Sequence, residues 1–368
     1  MTLSRSFDRR RRKVVELPPS TAAARELAAK VQDLGEDLDA LLRKAGLPFD
    51  AAILLDPKWR GPLTREAFAR LYAECTWALD AHAARQEGRA PMTKPENDLL
   101  AHCVITCATL EEAIDRTATF SAMVAPRTAP LSLQVRAGVA EFHMSTLRTR
   151  RNVSAFVSDL TGLSMYHRLF GWLIGQEIEL LTVHMRYPPL LSAEAVAWLM
   201  PHAITYDAAD NLFRFPARYL HQPVVRNYAE LVRLLERFPF DLEEPQSLKT
   251  PVSERVRIML GAALAQGAPM PTVEDLARQF TLSPATLKRR LAEEGASVSG
   301  LKDASRQDLA QRFLSDGGLS VSHIAGRLGF SDTSTFTRAF NRWTGQSPAG
   351  WRKALGVGDS AAPPFTLG

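Results

Sequence analysis

Residues 320–348 read SVSHIAGRLGFSDTSTFTRAFNRWTGQSP. Ser320, a residue type that caps helix N-termini, stands just before Val321, Ile324, Ala325 and Leu328, whose spacing marks one face of a helix. Gly329 then occupies the place where a left-handed residue ends a helix. Asp332 follows as the cap of a second helix, with Phe336 and Phe340 on its inner face. The pattern is helix, tight turn, helix.

A second copy lies upstream. Val273, Leu276, Ala277 and Phe280 recur as Val321, Ile324, Ala325 and Leu328, displaced by 48. Beyond the turn, Ser283, Leu287, Arg289 and Leu291 recur as Asp332, Phe336, Arg338 and Phe340, displaced by 49, so the second turn is one residue longer. Thr272 with Asp275 forms a capping box in the first copy, and Ser283-Pro284 is an N-cap followed by proline at the first helical position. The small residues Ala277 and Ala325 let the two helices of each pair cross closely. Between the copies, Val298 to Leu314 reads as a single connecting helix with Leu301, Leu309, Phe313 and Leu314 available for burial.

The outward faces of the two second helices carry the chemistry. The first offers Ala285, Thr286, Lys288, Arg289 and Arg290; the second offers Thr333, Ser334, Thr337, Arg338 and Asn341. Small hydroxyls, an amide and basic forks are what a helix in the major groove turns towards base edges and phosphates. A solvated bundle face is the plainer reading of one such helix, but two at a matched offset argue for a pair of DNA readers. Successive major grooves on one duplex face lie about 34 Å apart, so helices at about 283–294 and 332–343 could read two of them.

At these residues the chain resembles the DNA-binding domain of AraC/XylS-type transcription regulators. The family pattern is carried by Arg306, Ala310, Ser320, Val321, Ile324, Ala325, Gly329, Phe330, Asp332, Ser334, Phe336, Arg338, Phe340, Gly345, Ser347 and Pro348. Gln307 stands where an aliphatic residue is usual and Trp343 where phenylalanine is frequent. The resemblance implies base reading by Ala285, Lys288 and Arg289 in the first helix and by Thr333, Ser334, Thr337 and Arg338 in the second.

Outside this region the 368-residue chain has a soluble composition, 46% apolar and 23% charged. Its net charge of +5 is uneven: 6 Lys and Arg against 2 Asp and Glu over residues 1–20, 25 against 28 over 21–250, and 14 against 9 over 251–358. FPFDLEEPQSLKTPVS at 238–253, with three prolines, reads as a linker. The expected organisation is a basic disordered tail at 1–20, an effector-binding and dimerisation domain at 21–240, a linker at 241–252, a double helix-turn-helix domain at 253–356 and a disordered tail at 357–368.

The N-terminal part reads as α+β. Helical spacing covers 21–45, 63–85, 109–124, 152–175, 192–200 and 227–237. LSLQV and the residues after Arg136-Ala137-Gly138 form a hairpin signal, with further strands near 178–187 and 212–215. The C-terminal part reads as all-α. Residues 41–79, 108–126 and 201–225 are similar to the effector-binding region of the subgroup of these regulators typified by ornithine- and arginine-responsive and virulence activators. That similarity implies a small-molecule effector without naming it, and an activator sign; a repressor of the same family, or a sequence-tolerant architectural DNA binder, is the alternative.

The effector-binding residues are unknown from sequence: Arg168, Trp172 and His143 fit a surface or core role as well as a pocket. There is no G-x-S-x-G elbow, no glycine-rich phosphate loop and no H-E-x-x-H, so no enzyme is expected, and no catalytic residue, cofactor or metal site. Cys75, Cys103 and Cys107 read as packed free thiols of a reducing compartment. With no signal h-region and no apolar run of membrane-spanning length, the expectation is a cytoplasmic bacterial protein that does not engage membranes. Its expected partners are promoter or operator DNA, the effector, RNA polymerase and a second copy in a homodimer.

Overall fold

Two residues with positive φ, Ala137 at 49° and Gly138 at 78°, close a hairpin between β1 (Leu131–Arg136) and β2 (Val139–Met144). A two-residue loop with both φ values positive matches the right-handed twist of its strands, and glycine reaches it without strain. The computed structural model describes residues 21–59, 61, 63–236, 250–265, 267–280 and 282–355. The basic segment 1–20, residues 241–249 of the expected linker and the segment 357–368 lie outside the described residues.

The hairpin continues into a five-stranded sheet of order β1-β2-β5-β3-β4, with β3 at Thr182–His184, β4 at Ile204–Thr205 and β5 at Leu212–Pro216. All neighbours pair antiparallel except β3 and β4. Along β2, Ala140, Phe142 and Met144 are buried while the residues between them are not, as the sequence alternation requires. Phe142 stands opposite Phe213 of β5 with ring centroids 5.0 Å apart, a cross-strand aromatic pair that ties the sheet face to its core.

The helices around the sheet are α1 (Thr21–Asp33), α2 (Leu38–Lys44), α3 (Ala51–Leu55), α4 (Arg65–Gln86), α5 (Lys94–Val104), α6 (Leu110–Met123), α7 (Val153–Leu173), α8 (Ala193–Leu199) and α9 (Tyr228–Leu235). Helix α7 is the axis of this half. From Ser154 to Leu173 only Gly162 and Arg168 escape burial, so it is apolar nearly all round and enclosed by other elements. Its Phe170 meets Phe142 edge-on at 5.3 Å.

The C-terminal half, among the described residues, is helical: α10 (Val252–Ala265), α11 (Val273–Gln279), α12 (Pro284–Glu293), α13 (Val298–Asp316), α14 (Val321–Arg327), α15 (Thr333–Thr344) and α16 (Pro348–Ala354). It has two separate cores. Val256, Leu260, Leu276, Leu287 and Leu291 form one; Leu314, Ile324, Leu328, Phe336 and Phe340 form the other. Helix α13 serves both, through Val298 and Leu301 at its start and Ala310 and Leu314 towards its end.

An α+β half followed by an all-α half is the fold class expected from sequence. Details differ. The helical stretch at 21–45 is two helices, because Gly35 takes φ of 80° and Asp37 then caps α2 by accepting from Ala40 N. The extended stretch near 178–187 keeps strand geometry only at Thr182–His184. Helices α3 and α5 were not apparent in the apolar spacing, since α3 has five residues and α5 begins with Lys-Pro-Glu-Asn-Asp. None of the described helices is long and apolar enough to cross a membrane.

The two halves touch through Arg255 of α10. This side chain is buried; its Nη2 donates to Gln222 Oε1 at 2.5 Å, its Nη1 to Gln176 Oε1 at 3.2 Å, and its guanidinium lies 4.5 Å from the Phe280 ring centroid. Gln222 donates in turn to the Gln279 carbonyl, and Thr250 N to the Gly175 carbonyl at 3.0 Å. Burial pushes the Arg255 pKa down to about 10, still well above neutrality, so a full positive charge is held here by neutral acceptors and a ring face. Arg255→Ala leaves the buried Gln222 and the half-buried Gln176 without that donor and is expected to cost about 1–3 kcal/mol in denaturant unfolding of the full chain; a loss under about 0.5 kcal/mol, the range of an ordinary surface change, would show that the contact contributes little.

Candidate nucleic-acid interface

Each helix pair is fixed by side chains that hold the ends of its helices. In the first, Thr272 accepts from Asp275 N and Asp275 reaches back to Thr272 N at 3.0 Å, closing the capping box of α11. Ser283 then caps α12 by accepting from Thr286 N, with Pro284 in the first turn. In the second, Ser320 caps α14 through His323 N, and Asp332 caps α15 through Thr335 N at 2.7 Å. Gly329 takes φ of 76° between them. Hydrogen bonds from Thr335 hold the Asp332 carboxyl below the ordinary aspartate range, so it stays ionised at the positive end of α15.

Inner and outer faces separate cleanly. Leu287 and Leu291 of α12, and Phe336 and Phe340 of α15, have no exposed surface. On the outer face of α12, Ala285, Lys288, Arg289 and Arg290 are exposed and Thr286 is half-buried. On α15, Ser334, Arg338 and Asn341 are exposed, while Thr333 and Thr337 are half-buried. All ten residues singled out from the sequence therefore lie on the solvent side of their helices. Three are partly engaged. The Thr286 hydroxyl bonds the Ser283 hydroxyl at 2.8 Å, and Arg289 lies 3.7 Å from Glu293 with its side chain 71% exposed. Arg338 makes a long contact of 3.4 Å to Thr335. An exposed ion pair of this kind is weak enough to exchange for a phosphate.

Several residues of the quoted pattern hold the frame instead. Arg306 of α13 donates from Nε to the Leu328 carbonyl at 3.2 Å and stacks 5.3 Å from Phe330, pinning the second turn to the connecting helix. Trp343, in the place where phenylalanine is frequent, packs with Phe330 at a 6.0 Å centroid distance. Arg342 of α15 reaches Asp303 of α13 at 3.4 Å. Sequence reasoning missed Glu294, whose carboxylate accepts from Val252 N at 3.0 Å and Ser253 N at 2.7 Å and so caps α10 from the end of α12. No local pattern signals a cap supplied from about forty residues away.

Two capped helix pairs, each presenting a polar and basic second helix and joined by a common rigid helix, define a double helix-turn-helix protein with an α+β domain ahead of it. Residues 35–224, more than half of the chain, match the family described as the arabinose-binding domain of AraC transcription regulators, and residues 276–354 match a helix-turn-helix domain family. The chain belongs to the family of AraC-type transcription regulators.

It is 30% identical over 183 residues to an ornithine utilization regulator of Pseudomonas aeruginosa, covering 50% of this chain and 53% of that one. It is 38% identical over 106 residues to the HTH-type transcriptional regulator VirS of Mycobacterium tuberculosis, covering 29% of this chain and 31% of the other. The chain spans about half the length, or less, of the curated relatives it matches. Among solved structures, the transcriptional regulator CdpR from Pseudomonas aeruginosa is similar with 20% identity and a TM-score of 0.32, over 84% of this chain and 97% of that one.

The frame and the outer face should respond differently to substitution. Phe340→Ala, which empties a buried ring site, is expected to cost about 3–5 kcal/mol. Ser334→Ala should stay within about 0.5 kcal/mol of the parent in urea melts; equal losses would mean that Ser334 belongs to the frame.

Glu294 gives a pH signature. Burial disfavours its charge, but hydrogen bonds from Ser253 and Val252 outweigh that and hold its carboxyl below the ordinary glutamate value. A carboxyl lowered in the folded state adds stability above its unfolded pKa of about 4.3 and loses it as pH falls. Glu294→Gln should therefore lower Tm at neutral pH, with the difference from the parent shrinking as pH falls through the lowered pKa of the carboxyl; a difference independent of pH would assign the effect to something other than the carboxylate.

Proposed function

We propose that this protein is a sequence-specific DNA-binding transcription regulator that reads two successive major grooves with α12 and α15. The observation that supports this most directly is the matched pair of capped helices with solvent-facing Lys288, Arg289 and Arg290 on one and Ser334, Arg338 and Asn341 on the other. The apolar residues that set the angle of each helix are buried, so the reading side chains are presented by a fixed scaffold.

In this reading Ala285, Thr286, Lys288, Arg289 and Arg290 face one groove and Thr333, Ser334, Thr337, Arg338 and Asn341 the next. The basic surplus of the C-terminal region supplies phosphate contacts, and the residues between 21 and 240 bind a small-molecule effector and support a homodimer. Activation of promoters through contact with RNA polymerase in the cytoplasm completes the proposal, on the strength of the family alone. The names of the relatives, regulators without exception among those above, agree with a regulatory and non-enzymatic role.

The test is selection of binding sites from random duplexes by the full chain, followed by affinity measurements on the winning site and on unrelated DNA. A regulator of this kind is expected to prefer its own site by about 10³-fold or more. Arg338→Ala should cost about 1–3 kcal/mol and relax choice at one base position, whereas Arg290→Ala, outside the residues for which the resemblance implies base reading, should weaken all sequences alike and reduce the salt slope by about one. Equal affinity for selected and unrelated duplexes would overturn the reading.

A further inference from the structure

In the N-terminal half, α4, α5, α6, α7 and the segment after β2 line a partly open cavity of about 130 Å³. For scale, an apolar cavity of about 150 Å³ holds benzene, so this one suits about six non-hydrogen atoms. Its lining combines the apolar side chains of Trp77, Phe120, Met165 and Tyr166 with a polar wall of Asp80, Arg148, Ser158 and Asp159.

The charges on the polar wall do not balance. Asp159, 1% exposed, is fully engaged: it accepts from Arg148 Nη1 at 2.7 Å, from the Tyr187 hydroxyl at 2.6 Å and from Asn211 Nδ2 at 2.9 Å. Arg148 Nη2 donates to Asp80 Oδ1 at 2.5 Å. Two carboxylates thus share one guanidinium, a net charge of −1 on this group. Burial opposes the Arg148 charge, but Asp159 and Asp80 outweigh it and raise its pKa above the ordinary arginine value, so the guanidinium is not the group that gives way. Arg127, also on the cavity wall, is paired with Glu96 and leaves the balance unchanged.

Unmet hydrogen-bonding capacity lies on the same wall. Asp80 accepts only at Oδ1 among the described residues. The Ser158 hydroxyl, in a side chain more than nine-tenths buried, has no hydrogen-bond partner. An anionic ligand would have to settle beside the two carboxylates that Arg148 already holds, with the buried Nε as the one Arg148 nitrogen that has no partner. A cation would find a spare carboxylate oxygen, a free hydroxyl and aromatic faces, and would neutralise the excess charge.

We propose that this cavity binds a small organic cation, an amine of about six non-hydrogen atoms, with its ammonium group on Asp80 and Ser158 and its alkyl body against Trp77 and Met165. The proposal rests on the reading of the N-terminal region as the effector-binding part and names the class of effector.

The experiment is calorimetric titration and thermal melting of the full chain with n-pentylamine, 1-pentanol and pentanoate, which share a carbon skeleton and differ in charge. Pentylamine should bind saturably and raise Tm, with pentanol at least about tenfold weaker and pentanoate silent. Asp80→Asn should weaken pentylamine by about tenfold or more and narrow its advantage over pentanol. Because Asp80→Asn also disturbs Arg148, Ser158→Ala serves as the second variant: it removes a hydroxyl without a partner, should fold normally, and should weaken the amine about threefold.

Saturable binding of pentanol or pentanoate as tight as that of pentylamine overturns the proposal. So does no binding of any probe up to about 10 mM, or unchanged amine affinity in a folded Ser158→Ala. Retention of selected DNA is measured in parallel. Normal DNA retention without amine binding sinks the cavity assignment and leaves the DNA reading intact. Amine binding by a chain that retains no DNA does the reverse.

Discussion

The constraint on which the C-terminal half depends is that one helix, α13, is buried at its start in one core and towards its end in another. Val298 and Leu301 pack with Leu287 and Leu291 of the first helix pair, and Ala310 and Leu314 pack with Phe336 and Phe340 of the second. An α-helix is stiff over this length, so the distance and rotation between the pairs follow from the number of residues between those contacts. Arg306 on the Leu328 carbonyl and Arg342 near Asp303 remove the remaining freedom of the second pair. Two small cores of this kind would be marginal separately; sharing a helix makes each a support of the other.

The N-terminal half is organised around α7 in a comparable way. Ser158, Asp159, Met165 and Tyr166 of this helix line the cavity. Just beyond its C-terminus, the Gly175 carbonyl accepts from Thr250 N and Gln176 accepts from Arg255. A single buried helix therefore runs from the cavity wall to the contact with the DNA-reading half. Gly175, with φ of 63° and Thr250 and Val225 so close that a Cβ would meet them at 2.5 to 2.8 Å, has room for no other residue. A ligand shifts an equilibrium only by its differential affinity for two arrangements. On the proposed reading, the packing of α7 would supply the mechanical continuity between an effector and such an arrangement, and Arg255, a buried charge held by neutral groups, would be the contact where two arrangements differ in energy.

How much of this was legible in the sequence follows from the range of the interactions involved. The helix pairs were readable because caps and apolar faces repeat within four residues: Thr272 with Asp275, Ser283 with Thr286 and Asp332 with Thr335 all bond across three positions. The β1–β2 hairpin was readable for the same reason. The cavity was not. Its polar wall is assembled from Asp80, Arg148, Ser158 and Asp159, brought together from α4, the segment after β2 and α7, and each alone reads as an ordinary helical or loop polar residue. The side chains that sequence offered as pocket candidates are engaged elsewhere: His143 lies 3.3 Å from both Glu141 and Asp210, and Trp172 sits beneath the Arg226 guanidinium. Long-range polar networks leave no periodicity behind, whereas packing faces do.

The capping residues explain why the reading helices can carry so much polar surface and still be ordered. Helices as short as α12 and α15 have little intrinsic stability, and their outer faces, apart from the half-buried Thr286, Thr333 and Thr337, contribute little burial. Ser283 and Asp332 satisfy backbone donors at the first turn, while Leu287 with Leu291 and Phe336 with Phe340 anchor the following turns. The first turn is thus ordered by its cap and the rest by two buried side chains, which leaves the exposed outward positions with little structural duty. On the proposed DNA reading, substitution there would alter what is read without altering where the helix lies. That separation would let one scaffold serve many target sequences, and it fits inner faces of α12 and α15 that follow a strict apolar spacing while their outer faces share only a polar and basic character.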